Sequence, residues 1–152
     1  MKPITQQIQQ VEKLLAEVSA HHWEAALELF TGETPFYEDV PSNTRLTGRS
    51  GISGVYQELA TAMPNLMIEV TSAADVPGCS IREILIVGTH KGVYQGVPPT
   101  GRSIRLACAC FFHFDAGGKL LTQRMYFDNQ TLVRQMRGEV EPFLPKRLRV
   151  AA

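Results

Sequence analysis

The chain has 152 residues, with 15 basic and 15 acidic side chains, 44% hydrophobic residues and three cysteines. This length suits one domain, here taken as residues 1–152, with a core that needs no disulfide or metal. The balanced charge argues against a nucleic-acid partner or an anionic membrane surface, and three cysteines make a poor disulfide framework. The N-terminus lacks a signal-like apolar segment, and no apolar run approaches the roughly 20 residues of a membrane span. We therefore predict a cytoplasmic protein.

The first half of the chain is predicted to be helical. Apolar residues recur at helical spacing over residues 5–19 and again over residues 22–30. A stretch rich in turn-forming residues follows at 34–51. A third helix is predicted over residues 53–63, where Pro64 ends it.

The second half is predicted to form strands. Alternating or continuous apolar residues, separated by glycine-rich turns, predict four strands at residues 66–74, 81–94, 104–114 and 119–127. A short helix then begins at Asp128 and ends near residue 136. The basic, proline-bearing segment 137–152 is predicted to be a C-terminal arm.

This order of elements predicts the α+β class, because helices come first and a meander of strands follows. We expect the N-terminal helices to pack on a strongly curved, mainly antiparallel sheet that encloses a pocket. The segment 105–112 is apolar on both strand faces. One face can line the pocket, whereas the other needs a cover, and a second copy of the chain is the simplest one. We predict a homodimer formed through the outer face of the sheet.

Three linked segments carry a resemblance to a known family. They are Gly-Thr-His-Lys-Gly at 88–92, Gly-Val-Pro-Pro-Thr-Gly at 96–101, and Gly-Lys-Leu at 118–120 followed by Asp128 and by Leu-Val-Arg-Gln-Met at 132–136. In these segments the chain resembles the SnoaL-like polyketide cyclases. The resemblance implies the cone-shaped α+β barrel of the nuclear-transport-factor-like superfamily, which ketosteroid isomerases and scytalone dehydratases share. It also implies ring closure by aldol condensation without a cofactor.

The same resemblance implies an acid/base dyad that this chain lacks. The family's cyclases use an aspartate in the last strand, supported by a histidine in the strand before. With Gly118 and Lys119 as the anchor, the aspartate position falls on Met125. With one extra residue in the turn 115–118, the histidine position falls on Cys110. A methionine cannot transfer a proton, so the departure puts the aldol reaction in doubt while leaving the fold and the pocket in place.

Four residues are candidates for proton transfer in an apolar pocket: His90, Asp128, Tyr37 and Glu38. Each has a bland alternative. His90 can be a structural histidine at a strand bend, and Asp128 can be the N-cap of the following helix. The segment that holds Tyr37, Glu38 and Asp39 can be a solvated loop with a half-buried tyrosine.

Further residues are predicted to line the pocket, mostly from the inward faces of the last strands. They are Trp23, Asp39, Leu106, Cys108, Cys110, Phe112, Gln123 and Met125. Cys108 and Cys110 share one strand face and supply too few ligands for a zinc site, so they are interpreted as small buried hydrophobic residues. We predict no metal and no cofactor.

These observations favour a cofactor-free cyclase, isomerase or lyase that acts on an apolar small molecule bearing a carbonyl or epoxide group. The first alternative is a non-enzymatic small-molecule binding domain, because the dyad is replaced by Met125 and Cys110. A second alternative is a protein-interaction module that uses the outer sheet face. The polarity of the pocket distinguishes the first two, because a binding domain predicts a dry, apolar wall.

Overall fold

The computed structural model describes residues 4–142. Within this range the helices are α1 (Ile4–Ser19), α2 (Trp23–Glu28), α3 (Gly48–Ala62) and α4 (Asn129–Met136). The strands are β1 (Phe36–Asp39), β2 (Thr44–Thr47), β3 (Met67–Val76), β4 (Cys79–Thr89), β5 (Ser103–Phe114) and β6 (Leu120–Tyr126). The predicted arm, 137–152, lies mostly outside the described residues.

The strands form one curved, mixed sheet in the order β2-β1-β6-β5-β4-β3. All described neighbours are antiparallel except β1 and β6, which run parallel. Register shifts between Val70 and Ser72 in β3, and between His113 and Phe114 in β5, mark irregularities of the kind that bend strands. The sheet does not close into a barrel, and β2 and β3 are its edges. The predicted α+β class is confirmed.

The core lies between the helices and the concave face of the sheet. Helix α1 buries its apolar stripe, which includes Val11, Leu14 and Val18, and contacts β3 and β4. In β5 the inward residues are buried, whereas Ala107 on the other face is exposed. Within one chain, β5 is therefore buried on its inner face and only partly buried or exposed on its outer face. This is what a sheet covered by helices on one side requires.

Two elements in the turn-rich stretch were not predicted from the sequence. Strands β1 and β2 form a short antiparallel hairpin, with Asn43 in its turn at φ 55°. Strand β1 is only four residues long, so an alternating pattern is too brief to recognise, and its pairing with β6 is far away in sequence. Helix α3 begins at Gly48 rather than at residue 53.

Strand β4 ends at Thr89, not near residue 94 as predicted. Beyond it the chain turns onto the end of α3, where the backbone N–H groups of Lys91 and Gly92 both donate to the carbonyl oxygen of Ala62. A Cβ atom at Gly92 would collide with the carbonyl oxygen of Thr61. The glycine is therefore required for this close approach, which fixes the loop that carries Tyr94.

Candidate functional site

A cavity of about 250 Å³ lies between α3, the inner face of the sheet, the β1–β2 hairpin and the start of α4. Its apolar wall includes Leu59, Met63, Ile86, Leu106, Met125 and Leu132. A smaller void of about 30 Å³ shares several of these wall residues and reaches Trp23 and Gln123. Four of the residues that the sequence predicts for a pocket border one or both of these spaces: Trp23, Leu106, Gln123 and Met125.

Polar side chains reach this cavity from several elements and loops. Strand β1 contributes Tyr37 and Asp39, which share one face because alternate residues of a strand point the same way. Helix α3 contributes Glu58, and α4 contributes its first residue, Asn129. Tyr94 comes from the loop after β4. Convergent polar groups in an apolar cavity are typical of a ligand site.

Asp39 is the carboxyl group that lines the cavity from the sheet. Its Oδ2 accepts a hydrogen bond of 2.7 Å from Oγ of Ser42, in the hairpin turn. Its Oδ1 is enclosed and has no hydrogen-bond donor among the described residues. Buried polar atoms normally have a partner, so an unpaired one calls for an explanation. The arrangement leaves one oxygen free to accept a hydrogen bond or a proton.

Tyr37 lies two residues before Asp39 and is only 6% exposed. Its burial, with a smaller contribution from nearby Cys110, raises the pKa of the phenol well above its ordinary value. Within residues 4–142, no protein group forms a hydrogen bond with its hydroxyl. The side chain therefore offers a neutral O–H donor at the cavity and is unsuited to act as a base.

Tyr94 is held at the cavity by a small hydrogen-bond network. Its hydroxyl donates to Oδ1 of Asn129 at 2.8 Å, and Nδ2 of Asn129 donates to Oε1 of Gln95 at 2.8 Å. Burial raises the pKa of Tyr94, and the carboxylates of Glu58 and Asp39 raise it further. Both carboxyl groups thus lie near this ring. Sequence reasoning missed Tyr94, Asn129 and Glu58, although Tyr94 stands between two of the family-like segments.

Glu38 does not join the site. It lies on the outer face of β1, because it falls between two inward-facing residues of the strand. There its carboxylate accepts from Arg45 at 2.6 Å and from Arg124 at 3.1 Å. The hydrogen bond from Arg45 is the main cause that lowers the pKa of Glu38. Glu38 thus belongs to an ion-pair cluster on the outer face and does not reach the cavity.

His90 is fully buried but is not among the residues that line the cavity. The hydroxyl of Thr100 donates to the carbonyl oxygen of Met136 at 2.7 Å, so it accepts from Nδ1–H of His90 at 3.0 Å. Nε2 of His90 has no partner among the described residues. The ring therefore ties the loop after β4 to the end of α4, which corresponds to the structural alternative.

Asp128 is exposed and caps α4. Its Oδ1 accepts from the backbone N–H of Gln130 at 3.1 Å, and its Oδ2 accepts from the hydroxyl of Thr131 at 2.6 Å. The bond from Thr131 is the main cause that lowers the pKa of Asp128. The side chain is used at the helix N-terminus and does not line the cavity; its neighbour Asn129 does.

The expected lining positions Cys108, Cys110 and Phe112 lie in the packed core instead. They face inward, yet they do not reach either cavity, because neighbouring side chains cover them. Cys110 and Met125 are direct cross-strand partners, and Sγ of Cys110 lies 3.1 Å from Sδ of Met125. The two positions to which the resemblance assigns a dyad are therefore adjacent in space.

Among residues 4–142, no three His, Cys, Asp or Glu side chains are grouped as metal ligands. In the same part of the chain, no helix is long and apolar enough to cross a membrane.

Comparison with known proteins agrees with this architecture. The family model described as SnoaL-like polyketide cyclase matches residues 9–136. A search of curated proteins finds no match. A protein from Jannaschia sp. CCS1, described as a SnoaL-like polyketide cyclase, superposes with a TM-score of 0.77 at 20% identity, covering 90% of this chain and 95% of that one.

Two further solved structures have the same fold. AclR from Streptomyces galilaeus, described as a hydroxylase, gives a TM-score of 0.78 at 17% identity, covering 95% of this chain and 87% of that one. SalBIII, described as an epoxide hydrolase/cyclase-like enzyme in pyran ring formation of salinomycin, gives 0.72 at 16% identity, covering 86% and 96%. At these identities the likeness concerns the fold alone.

Proposed function

The chain belongs to the SnoaL-like polyketide cyclase family, and from that premise we propose that it is a cofactor-independent acid/base enzyme. Its reaction would be that of a cyclase, isomerase or lyase on an apolar small molecule with a carbonyl or epoxide group. The observation that carries the proposal is the pair Tyr37 and Asp39, one neutral donor and one carboxyl group on the same strand face of an apolar cavity.

The proposed roles follow from the chemistry of these two groups. Asp39 takes the proton from the carbon next to the carbonyl group, and the electron pair of the C–H bond moves towards the carbonyl oxygen. Tyr37 donates its hydrogen bond to the oxyanion that develops there. The enolate then attacks a second carbonyl carbon, expels a leaving group, or takes the proton back from Asp39 at another carbon. These three outcomes are cyclisation, elimination and isomerisation.

A binding domain without catalysis remains the second candidate. It is favoured by Met125 and Cys110 at the positions where the resemblance assigns a dyad. It predicts a wall without convergent polar groups, whereas this cavity contains Tyr37, Asp39 and Tyr94. The polarity of the wall therefore supports the enzyme.

The first test measures proton abstraction directly, since that step is common to the carbonyl reactions proposed. Small cyclic ketones are incubated with the protein in D₂O, and proton NMR follows the loss of the α-proton signals. We expect exchange above the buffer rate, lowered about 10²-fold or more by Asp39→Asn, as is usual when a general base is lost. Tyr37→Phe should lower it by about 10²-fold.

The control is Glu83→Gln, which removes an exposed carboxylate from the opposite face of the sheet. It should exchange at the wild-type rate. Exchange that stays at the buffer rate for every ketone, or that is equal in wild type and Asp39→Asn, would contradict the proposal. Tight binding of the same ketones without exchange would favour the binding domain.

A further inference from the structure

The charged side chains that line the cavity are all of one sign. They are Asp39, which lies on the sheet side, and Glu58, which is exposed and stands at the mouth on α3. Among the described residues, no lysine, arginine or histidine lines the cavity. Neither carboxyl group has an ion-pair partner within residues 4–142. The wall therefore carries an uncompensated negative potential.

Aromatic rings stand beside these carboxyl groups. Tyr37, Tyr94 and Phe127 line the same cavity. Asp39 and Glu58 line this cavity together with Tyr94, and both carboxylates contribute to the raised pKa of its hydroxyl, so both lie near it. Faces of aromatic rings attract cations, and they do so more strongly where water is excluded.

A second observation is that two polar atoms at the cavity have no hydrogen-bond partner among the described residues. Tyr37 is more than nine-tenths buried, and its hydroxyl has no partner among the described residues. Oδ1 of Asp39 is likewise unpaired. A bound molecule with both an acceptor atom and a positively charged donor would satisfy these groups together.

We propose that the substrate of this cavity carries a protonated amino group, held between Glu58 and the ring of Tyr94, with its apolar body against the wall. This rests on the proposed function for the reacting end of the molecule, but the charge preference does not. A carboxylate-bearing ligand would meet like charge at the mouth and inside, and would be disfavoured. The cavity volume admits a ligand somewhat larger than benzene, since about 150 Å³ suffices for that ring.

The test compares three ligands on one skeleton that differ in charge at one end: 3-phenylpropylamine, 3-phenylpropanol and 3-phenylpropanoate. Each is titrated into the protein at pH 7 and low ionic strength, and its Kd is measured by ligand-observed NMR. We expect the amine to bind at least about fivefold more tightly than the alcohol, and the carboxylate more weakly than either. Added salt should reduce the difference.

Two variants test whether the preference for the amine arises in this cavity. Glu58→Gln should bring the ratio of amine to alcohol affinity towards one. The matched control, Glu83→Gln, removes an equal charge on the other face of the sheet and should leave the ratio as it is. Equal or reversed affinities in wild type, or a ratio that Glu58→Gln does not move, would overturn the inference.

This outcome is separate from the test of catalysis. Selective amine binding without deuterium exchange would keep the inference and contradict the enzyme. Exchange of neutral ketones without amine selectivity would do the opposite.

Discussion

Asp39 of β1 and Met125 of β6 are direct partners in the register of the sheet, and both line the cavity. The family resemblance assigns an aspartate to the position of Met125. Asp39 therefore places a carboxyl group one strand away from the position that the resemblance assigns. Neighbouring strands lie about 4.8 Å apart, so side chains at these two positions can reach nearly the same part of the cavity.

This relationship predicts that the carboxyl group can be moved. Adding Met125→Asp to Asp39→Asn should raise the deuterium-exchange rate at least about tenfold above that of Asp39→Asn alone, because the new carboxylate faces the same cavity. The control is Met125→Asn in that background, which matches shape without basicity. Equal rates for the two double variants, both folded by circular dichroism, would show that position 125 does not reach the substrate.

Much of this architecture was predictable from the sequence, and the misses have physical causes. Helix α1 and strands β3 to β6 carry long periodic patterns, so the sequence predicts them within a few residues, except for the end of β4. Strand β1 exists because it pairs with β6, a contact that no local pattern shows. Because β1 is not evident from the sequence, its residues Tyr37, Glu38 and Asp39 were all candidates for the site. In the strand, Glu38 points to the face opposite that of the other two.

The burial of the cysteines predicts low thiol reactivity. Burial, with a contribution from Asp39, raises the pKa of Cys108 to about 12, and burial also raises the pKa of Cys110. At pH 8 a thiol with that pKa is ionised in about one molecule in ten thousand. We expect iodoacetamide to modify the half-buried Cys79 first and the other two only in denaturant. Rapid native modification of Cys110, located by mass spectrometry, would contradict its place in the core.

The ion-pair cluster on the outer face predicts a loss of stability in acid. Hydrogen bonds from Arg45, and then Arg124, hold the pKa of Glu38 below its ordinary value of 4.5. A carboxyl group whose pKa is lower in the folded state stabilises the fold above the unfolded value, and this contribution disappears as the pH falls through the folded value. The Tm of wild type should therefore fall between pH 5 and about pH 3 more than that of Glu38→Gln. The control Glu33→Gln, at an exposed site, should follow wild type.

The outer face of the sheet predicts self-association. On this face Phe111 and Tyr126 form an edge-to-face pair with ring centroids 5.4 Å apart, and the exposed Ala107 is the cross-strand partner of Leu85. We propose that a second copy covers the part of this face around Ala107 and Phe111, as the pattern of residues 105–112 led us to expect. The wild-type protein should then have twice the mass of one chain by light scattering after gel filtration.

Ala107→Glu tests this interface, because a charge there is harmless on a free surface but is desolvated without a partner in a dimer. We expect the variant to run as a monomer with a circular dichroism spectrum like that of wild type. Ile4→Glu, at the exposed start of α1 on the helical side of the molecule, is the matched control and should remain dimeric. A wild-type monomer at micromolar concentration, or a dimer that Ala107→Glu leaves intact, would show that two copies do not meet through this face.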